Sequence, residues 1–171
     1  SRAAINLLSR AYSSTSVASF SAIDVLNNTI TSAVNVRAAI LAVAETRNNG
    51  VSSITDLDVL NNTLDGNNAG FVIQDYLNTS GTPSHSTITV SGNFIKNHTT
   101  NGVYVSANTL ATGMNVLNNS FENNSVADIK NDGTDTVAAT CNWFDSSAYA
   151  YIQTRVSGLV KYMPYLTDGS E

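Results

Sequence analysis

One phrase of apolar and polar positions recurs along the chain. IDVLNNTI at residues 23–30 returns as LDVLNNTL at residues 57–64, and three looser copies follow: ITVSGNFI at 88–95, MNVLNNSF at 114–121 and VAATCNWF at 137–144. Each reads apolar, x, apolar, x, x, Asn, x, apolar; the fifth, with Val137 and Ala139 as its apolar pair, is the weakest. The aligned asparagines Asn28, Asn62, Asn93, Asn119 and Asn142 stand 34, 31, 26 and 23 residues apart. Period-two alternation sends one set of side chains inward, and a repeat of roughly 20 to 50 residues marks a stacked architecture. The pattern continues after each asparagine: Leu64, GNNAG, then Phe71 and Ile73; Ile95, NHTTNG, then Val103 and Val105; Phe121, ENN, then Val126 and Ile129. Short strands joined by Asn/Gly turns, about three to a repeat, predict an all-β fold. The expected architecture is a right-handed parallel β-helix of about five coils, one coil per phrase, forming a rod roughly 24 Å long.

The repeated asparagine has a physical role at a corner between strands. Asn tolerates unusual backbone angles there, and its amide offers both donor and acceptor to the same residue in the next coil, about 4.8 Å away. A vertical Asn ladder is therefore expected, beside inward columns of Val25, Val59, Val90 and Val116 and of Ile30, Leu64, Ile95, Phe121 and Phe144. The single domain, 1–171, divides into an N-terminal cap or irregular coil (1–22), coils (23–145) and a C-terminal cap (146–171). The N-terminal segment allows a capping helix with Ala4, Leu7, Leu8 and Ala11 on one face and Ser1 as N-cap, or a further irregular strand. The aromatic-rich segment from Cys141 to Leu166 is expected to fold over the last coil, because an open β-helix exposes strand edges.

Composition narrows the classes. Hydrophobic residues make up 42% of the chain but charged residues only 12%, so the polar character rests on Ser, Thr and the 22 asparagines. That mixture suits turns and short strands and disfavours helix interiors. A net charge of −5 with no basic cluster argues against nucleic-acid binding, and no run approaches the roughly 18 apolar residues of a membrane helix. One cysteine cannot form an internal disulfide. The opening SRAAINLL reads as a mature secreted chain or a domain excised from a longer protein, with flanking modules as neighbours.

At this point the residues resemble a known group. The phrase, followed by Asn and then Gly-apolar-x-apolar, is similar to the repeat of the pectate-lyase-like right-handed β-helix superfamily over residues 23–145. ATCNWF with the later VSGLVKYMPYLTDGSE resembles the closing segment of β-helix domains in bacterial secreted or surface proteins; Phe144 and Asp145 depart from that pattern. The resemblance implies an extracellular or cell-surface location and a module used for adhesion, display or carbohydrate contact. It also leaves a second reading, a lyase-type polysaccharide enzyme, since the group has enzymatic and non-enzymatic members. The segments by which the galacturonase and alginate-epimerase members are known do not occur in this chain. A β-eliminating base could come from Arg37 or Arg47. The function expected is non-enzymatic.

Candidate chemistry is sparse. With Ile23, Val25, Leu57 and Val59 inward, Asp24, Asp56 and Asp58 face outward, Asp24 beside Asp58; they read as solvated surface, a Ca²⁺ site or an acid/base pair. Tyr76, Tyr104, Tyr149 and Tyr151 are candidate sugar-stacking platforms for a carbohydrate or other surface ligand. His85 and His98 fall in loop-like TPSHST and KNHTTNG, without metal-ligand spacing. Cys141 precedes a ladder asparagine and reads as a small packed thiol. Leu26, Leu60 and Leu117 share an outward column, for which the insertion at 36–53 and the loop at 74–87 are the expected cover. The column Thr29, Thr63, Phe94, Ser120, Trp143 is too irregular for an ice-binding array.

Overall fold

Each copy of the phrase folds as a segment of one turn of a parallel β-helix. The structure, a computed structural model, describes residues 3–31, 36–78 and 80–169. The first coil holds β1 (Ala3–Ala11), β2 (Val17–Phe20), β3 (Ile23–Leu26) and β4 (Thr29–Thr31); the second holds β5 (Ala38–Arg47), β6 (Gly50–Leu60) and β7 (Thr63–Asp65). The third holds β8 (Phe71–Asn78), β9 (Gly81–Ser91) and β10 (Phe94–Lys96). The fourth holds β11 (Asn101–Val105), β12 (Ala111–Thr112), β13 (Asn115–Leu117) and β14 (Ser120–Glu122). The chain closes with β15 (Ala127–Asn131), β16 (Val137–Ala138), α1 (Tyr149–Arg155), β17 (Val156–Gly158) and β18 (Val160–Lys161).

Three parallel sheets result. The first runs β1-β5-β8-β11-β15-β17, the second stacks β2 and β3, β6, β9, β12 and β13, β16 and β18, and the third runs β4-β7-β10-β14. A bridge from Ser120 to Trp143 carries the third sheet into the fifth coil. The expected columns lie in register. Val25 pairs with Val59, Val59 with Val90 and Val90 with Val116; Ile30, Leu64, Ile95 and Phe121 do the same in the third sheet. A matching column, Ile5, Ile40, Phe71, Val103, Ile129 and Val156, lines the inner face of the first sheet. The rings of Phe121 and Phe144 stack with centroids 5.6 Å apart, and Tyr162 meets Phe144 edge-on. That aromatic stack, with buried Ile152 of α1, closes the C-terminal end of the core.

The ladder forms as expected, and it divides the corner's work between two residues. Asn62 donates its N–H (2.8 Å) and Nδ2 (3.0 Å) to Asn93 Oδ1, and Asn93 does the same to Asn119 Oδ1 at 3.0 and 2.9 Å. Asn28 joins Asn62, and Asn119 joins Asn142, in the same way. From Asn62 onward each Nδ2 also reaches the valine carbonyl one coil back, as from Asn93 to Val59 O at 2.8 Å. The left-handed backbone expected at the ladder residue belongs to its predecessor: Asn27, Asn61, Gly92, Asn118 and Cys141 have φ between 53° and 64°. Asn and Gly fill four of those five positions because they bear that region with least strain.

Three expectations are resolved or corrected. Of the two N-terminal alternatives, residues 3–11 take the strand and not the capping helix; Ala3, Ile5, Leu7, Ser9 and Ala11 alternate and pair with β5 from Ala38 to Thr46. The proposed N-cap Ser1 lies outside the described residues. The segments 36–53 and 74–87 do not cover the Leu26 column. They are wall: β5 and β8 pair along eight positions of the first sheet, and β6 pairs with β9 along the second. Leu26 is accordingly left 41% exposed. Lastly, both histidines are buried: His85 lies in strand β9 instead of a loop, while His98 does lie in a loop, the corner between β10 and β11.

Candidate functional site

The coils change size between the third and fourth turns, and that change makes a groove. β8 and β9 run out to a corner at Asn78 and Gly81, whereas the last pair between β8 and β11 is Ile73 with Val105. The chain then turns back through residues 106–110, and β12 rejoins the second sheet at Ala111 opposite His85. The outer end of β8 and the start of β9 therefore have no strand beyond them. The short turn is pinned by its own polar groups. The Ser106 N–H donates to Ile73 O (3.0 Å), the Asp75 N–H to Thr109 Oγ1 (3.0 Å) and the Leu110 N–H to Asp75 Oδ2 (2.8 Å). The ledge left open is a groove of about 520 Å³ lined by Asp75, Tyr76, Leu77, Thr82, Asn108 and Leu110, among others. Tyr76 and Leu77 are 46% and 56% exposed on its wall.

Behind the groove sits a contact that the sequence did not reveal. His85 Nδ1 lies 2.8 Å from Asp75 Oδ1, with side-chain exposures of 0% and 5%. His85 Nε2 has no hydrogen-bond partner. Although the two atoms are close, Nδ1 and Oδ1 make no hydrogen bond with each other, and neither ring nitrogen reaches solvent. The signal in the sequence was register alone: TPSHST continues the second sheet, placing His85 beside Ile54, yet its polar letters hide the alternation.

His98 stands in a second corner ladder. Its Nδ1 faces the N–H of Asn67 at 3.2 Å, and its own N–H donates to Asn124 Oδ1 at 3.3 Å. The left-handed residue again precedes the ladder position, as Gly66, Asn97 and Asn123. Burial outweighs the nearby acceptors and pushes the imidazole down to about 4. It is a neutral structural group at physiological pH.

The other predicted site residues do not converge. Asp24 and Asp58 are paired neighbours, as expected, while Asp56 sits in a left-handed kink with φ of 50°. Among the described residues no group of three or more His, Cys, Asp or Glu side chains comes together to hold a metal ion. Tyr104 projects from the first sheet, donates to Asp132 Oδ2 and lies under Lys130 in a shallow cleft with Arg37. Burial, joined by the Asp132 bond, raises its phenol. Tyr149 and Tyr151 lie on α1 at the C-terminal end, so the four tyrosines form no common platform. Arg47 is held, with Arg10, by the buried carboxylate of Glu45 at 3.0 and 2.7 Å. Arg155 anchors α1 through buried Asp128, where burial raises the carboxyl and the Arg155 and Asn124 bonds oppose it. Cys141, half-buried, has φ of 58° and serves the corner. No family model, curated protein or solved structure matches this chain.

Proposed function

We propose that the chain is a non-enzymatic extracellular β-helix module of a bacterial surface or secreted protein, pectate-lyase-like in ancestry, that contacts carbohydrate through the ledge groove. The observation that carries this reading is Tyr76, an exposed aromatic face on the wall of a 520 Å³ groove whose other side chains include Thr82 and Asn108. An aromatic ring for the apolar face of a sugar and a few polar groups for its hydroxyls is the usual chemistry of such a cleft. The non-enzymatic assignment rests on accessibility. The groove's best-placed acid–base pair, His85 with Asp75, is sealed from solvent, and a general base must reach the proton it takes. Arg47, one of the two candidate bases for a lyase, is engaged by Glu45.

The test is a glycan array followed by calorimetry on the strongest hit, repeated with Tyr76→Ala. Binding that falls at least about ten-fold in the variant, a loss of about 1.4 kcal/mol, supports the reading; binding unchanged in the variant, or none to any glycan, removes it. Incubation with uronic-acid polymers and Ca²⁺ tests the enzymatic alternative, for which unsaturated-uronate absorbance is the positive result.

A further inference from the structure

The outer face of the third sheet carries a different cleft. Phe94 and Trp143 both pair with Ser120, from opposite sides, so the two rings are rooted two rungs apart with a small hydroxyl side chain between them. Rungs of about 4.8 Å place their backbones about 9.6 Å apart. The C-terminal segment supplies a wall: the Leu166 N–H donates to Asn142 O at 2.9 Å, which ties the segment down. The space enclosed is about 410 Å³, bounded by Phe94, Ser120, Glu122, Trp143, Leu166 and Gly169. Gly169 lies close against the indole; a Cβ there would stand 3.2 Å from Trp143 Nε1.

Charge in this face is uneven. Two residues along each rung from the Phe94 column come Asp65, Lys96 and Glu122. Asp65 is partnered by Lys96 at 3.9 Å and by Asn97 Nδ2 at 2.8 Å. Glu122 borders the cleft, and its carboxylate makes no hydrogen bond or ion pair with any described residue. The Lys96 ammonium sits 4.4 Å above the Phe94 ring without lining the cleft, so that ring already receives one cation.

We propose that this cleft binds a quaternary alkylammonium group, as carried by choline, between Phe94 and Trp143 with Glu122 as counter-charge. A cation over Ser120 sits between two rings rooted one rung to either side, and the contact requires each ring centroid to come within roughly 6 Å of it. A methylated cation fits better than a primary ammonium, whose three N–H donors each need an acceptor where the cleft offers one carboxylate and one hydroxyl. Anionic ligands face repulsion from Glu122. The site lies on a different sheet from the Tyr76 groove and does not depend on the carbohydrate reading.

Trp143 is the chain's single tryptophan, so its fluorescence reports on this cleft directly. The titrants are choline, phosphocholine and trimethyl-lysine, which share the cation, and dimethylbutanol, the neutral carbon isostere of choline, all at matched ionic strength. A saturable change with at least one of the cations, about ten-fold or more tighter than with dimethylbutanol, is the expected result; the tightest of the three identifies the carrier. Glu122→Gln, at a half-exposed surface position, should weaken the cation about three- to ten-fold and leave dimethylbutanol unchanged. Equal binding of cation and isostere, no loss in Glu122→Gln, or no saturable change with any of the three cations overturns the proposal.

Discussion

Replacing Asn93 by alanine should destabilise the protein far more than the same change at Asn28, although both belong to one ladder. Asn93 is central and 2% exposed. Its Oδ1 accepts the Asn62 N–H and Nδ2, and its Nδ2 reaches Val59 O, Ser91 O and Asn119 Oδ1. Truncation leaves the buried Asn62 N–H without a partner, a cost of about 1–3 kcal/mol, and removes several bonds of about 1 kcal/mol net each. The sum is about 4 kcal/mol. Asn28 ends the ladder and is half-buried; its side chain only donates, to Leu26 O and Asn62 Oδ1, and its own N–H keeps its bond to Asn62. Truncation there orphans no buried donor and should cost about 1 kcal/mol. Urea unfolding followed by far-UV circular dichroism measures both, with midpoint shifts at unchanged slope as the readout. Equal shifts, or a larger one for Asn28→Ala, would refute the claim that the ladder stabilises by satisfying the next coil's buried backbone.

Other outcomes follow from the same geometry. Thr87 occupies a kink at φ of 53°, in line with Gly113 at φ of 70°; Thr87→Gly should relieve β-branched strain of about 1 kcal/mol and raise the melting temperature by about 2–4 °C. His98 titrates near 4 when folded against an ordinary 6.5, so the unfolded chain takes up the proton first as pH falls. Stability attributable to His98 is present in full above pH 6.5 and declines toward pH 4 by about 3 kcal/mol. His98→Gln should flatten that stretch of the pH–stability profile; an unchanged slope refutes it. Asp128→Ala leaves the mostly buried Arg155 guanidinium without its carboxylate. A loss of about 3 kcal/mol and faster proteolysis around α1 are expected; an unchanged proteolysis rate refutes it.

The ladder was legible because one residue type recurs at one corner with apolar neighbours in fixed positions. The second corner was not, since its amide position runs Asn67, His98, Asn124 and its left-handed position Gly66, Asn97, Asn123. No letter repeats throughout either series, though the backbone does. The first coil was ambiguous for a related reason. Ser9 points inward and is satisfied there by Ser52 and the carbonyl of Ala18, which breaks the apolar alternation that would have marked β1 as a strand. β5 failed differently. AAILAVAETR is buried on both faces, and a two-sided parallel strand reads as a continuous apolar run instead of an alternating one.

Both proposed sites lie where this coil breaks its own rule. In a regular solenoid each rung is covered by the next, and the lateral face repeats small polar residues, as Thr29 and Thr63 do here. A concave surface arises when a rung is shorter than the one before it, as β11 is against β8, or when a bulky residue enters a column of small ones. Phe94 and Trp143 do the latter on either side of Ser120. Neither departure improves the core: Tyr76 and Leu77 stand exposed on the ledge, and Glu122, which makes no hydrogen bond or ion pair with another described residue, stands beside an aromatic pair. The repeat supplies the backbone through the ladder, and the irregular residues stand outside it. Function is therefore best sought in the letters that do not repeat.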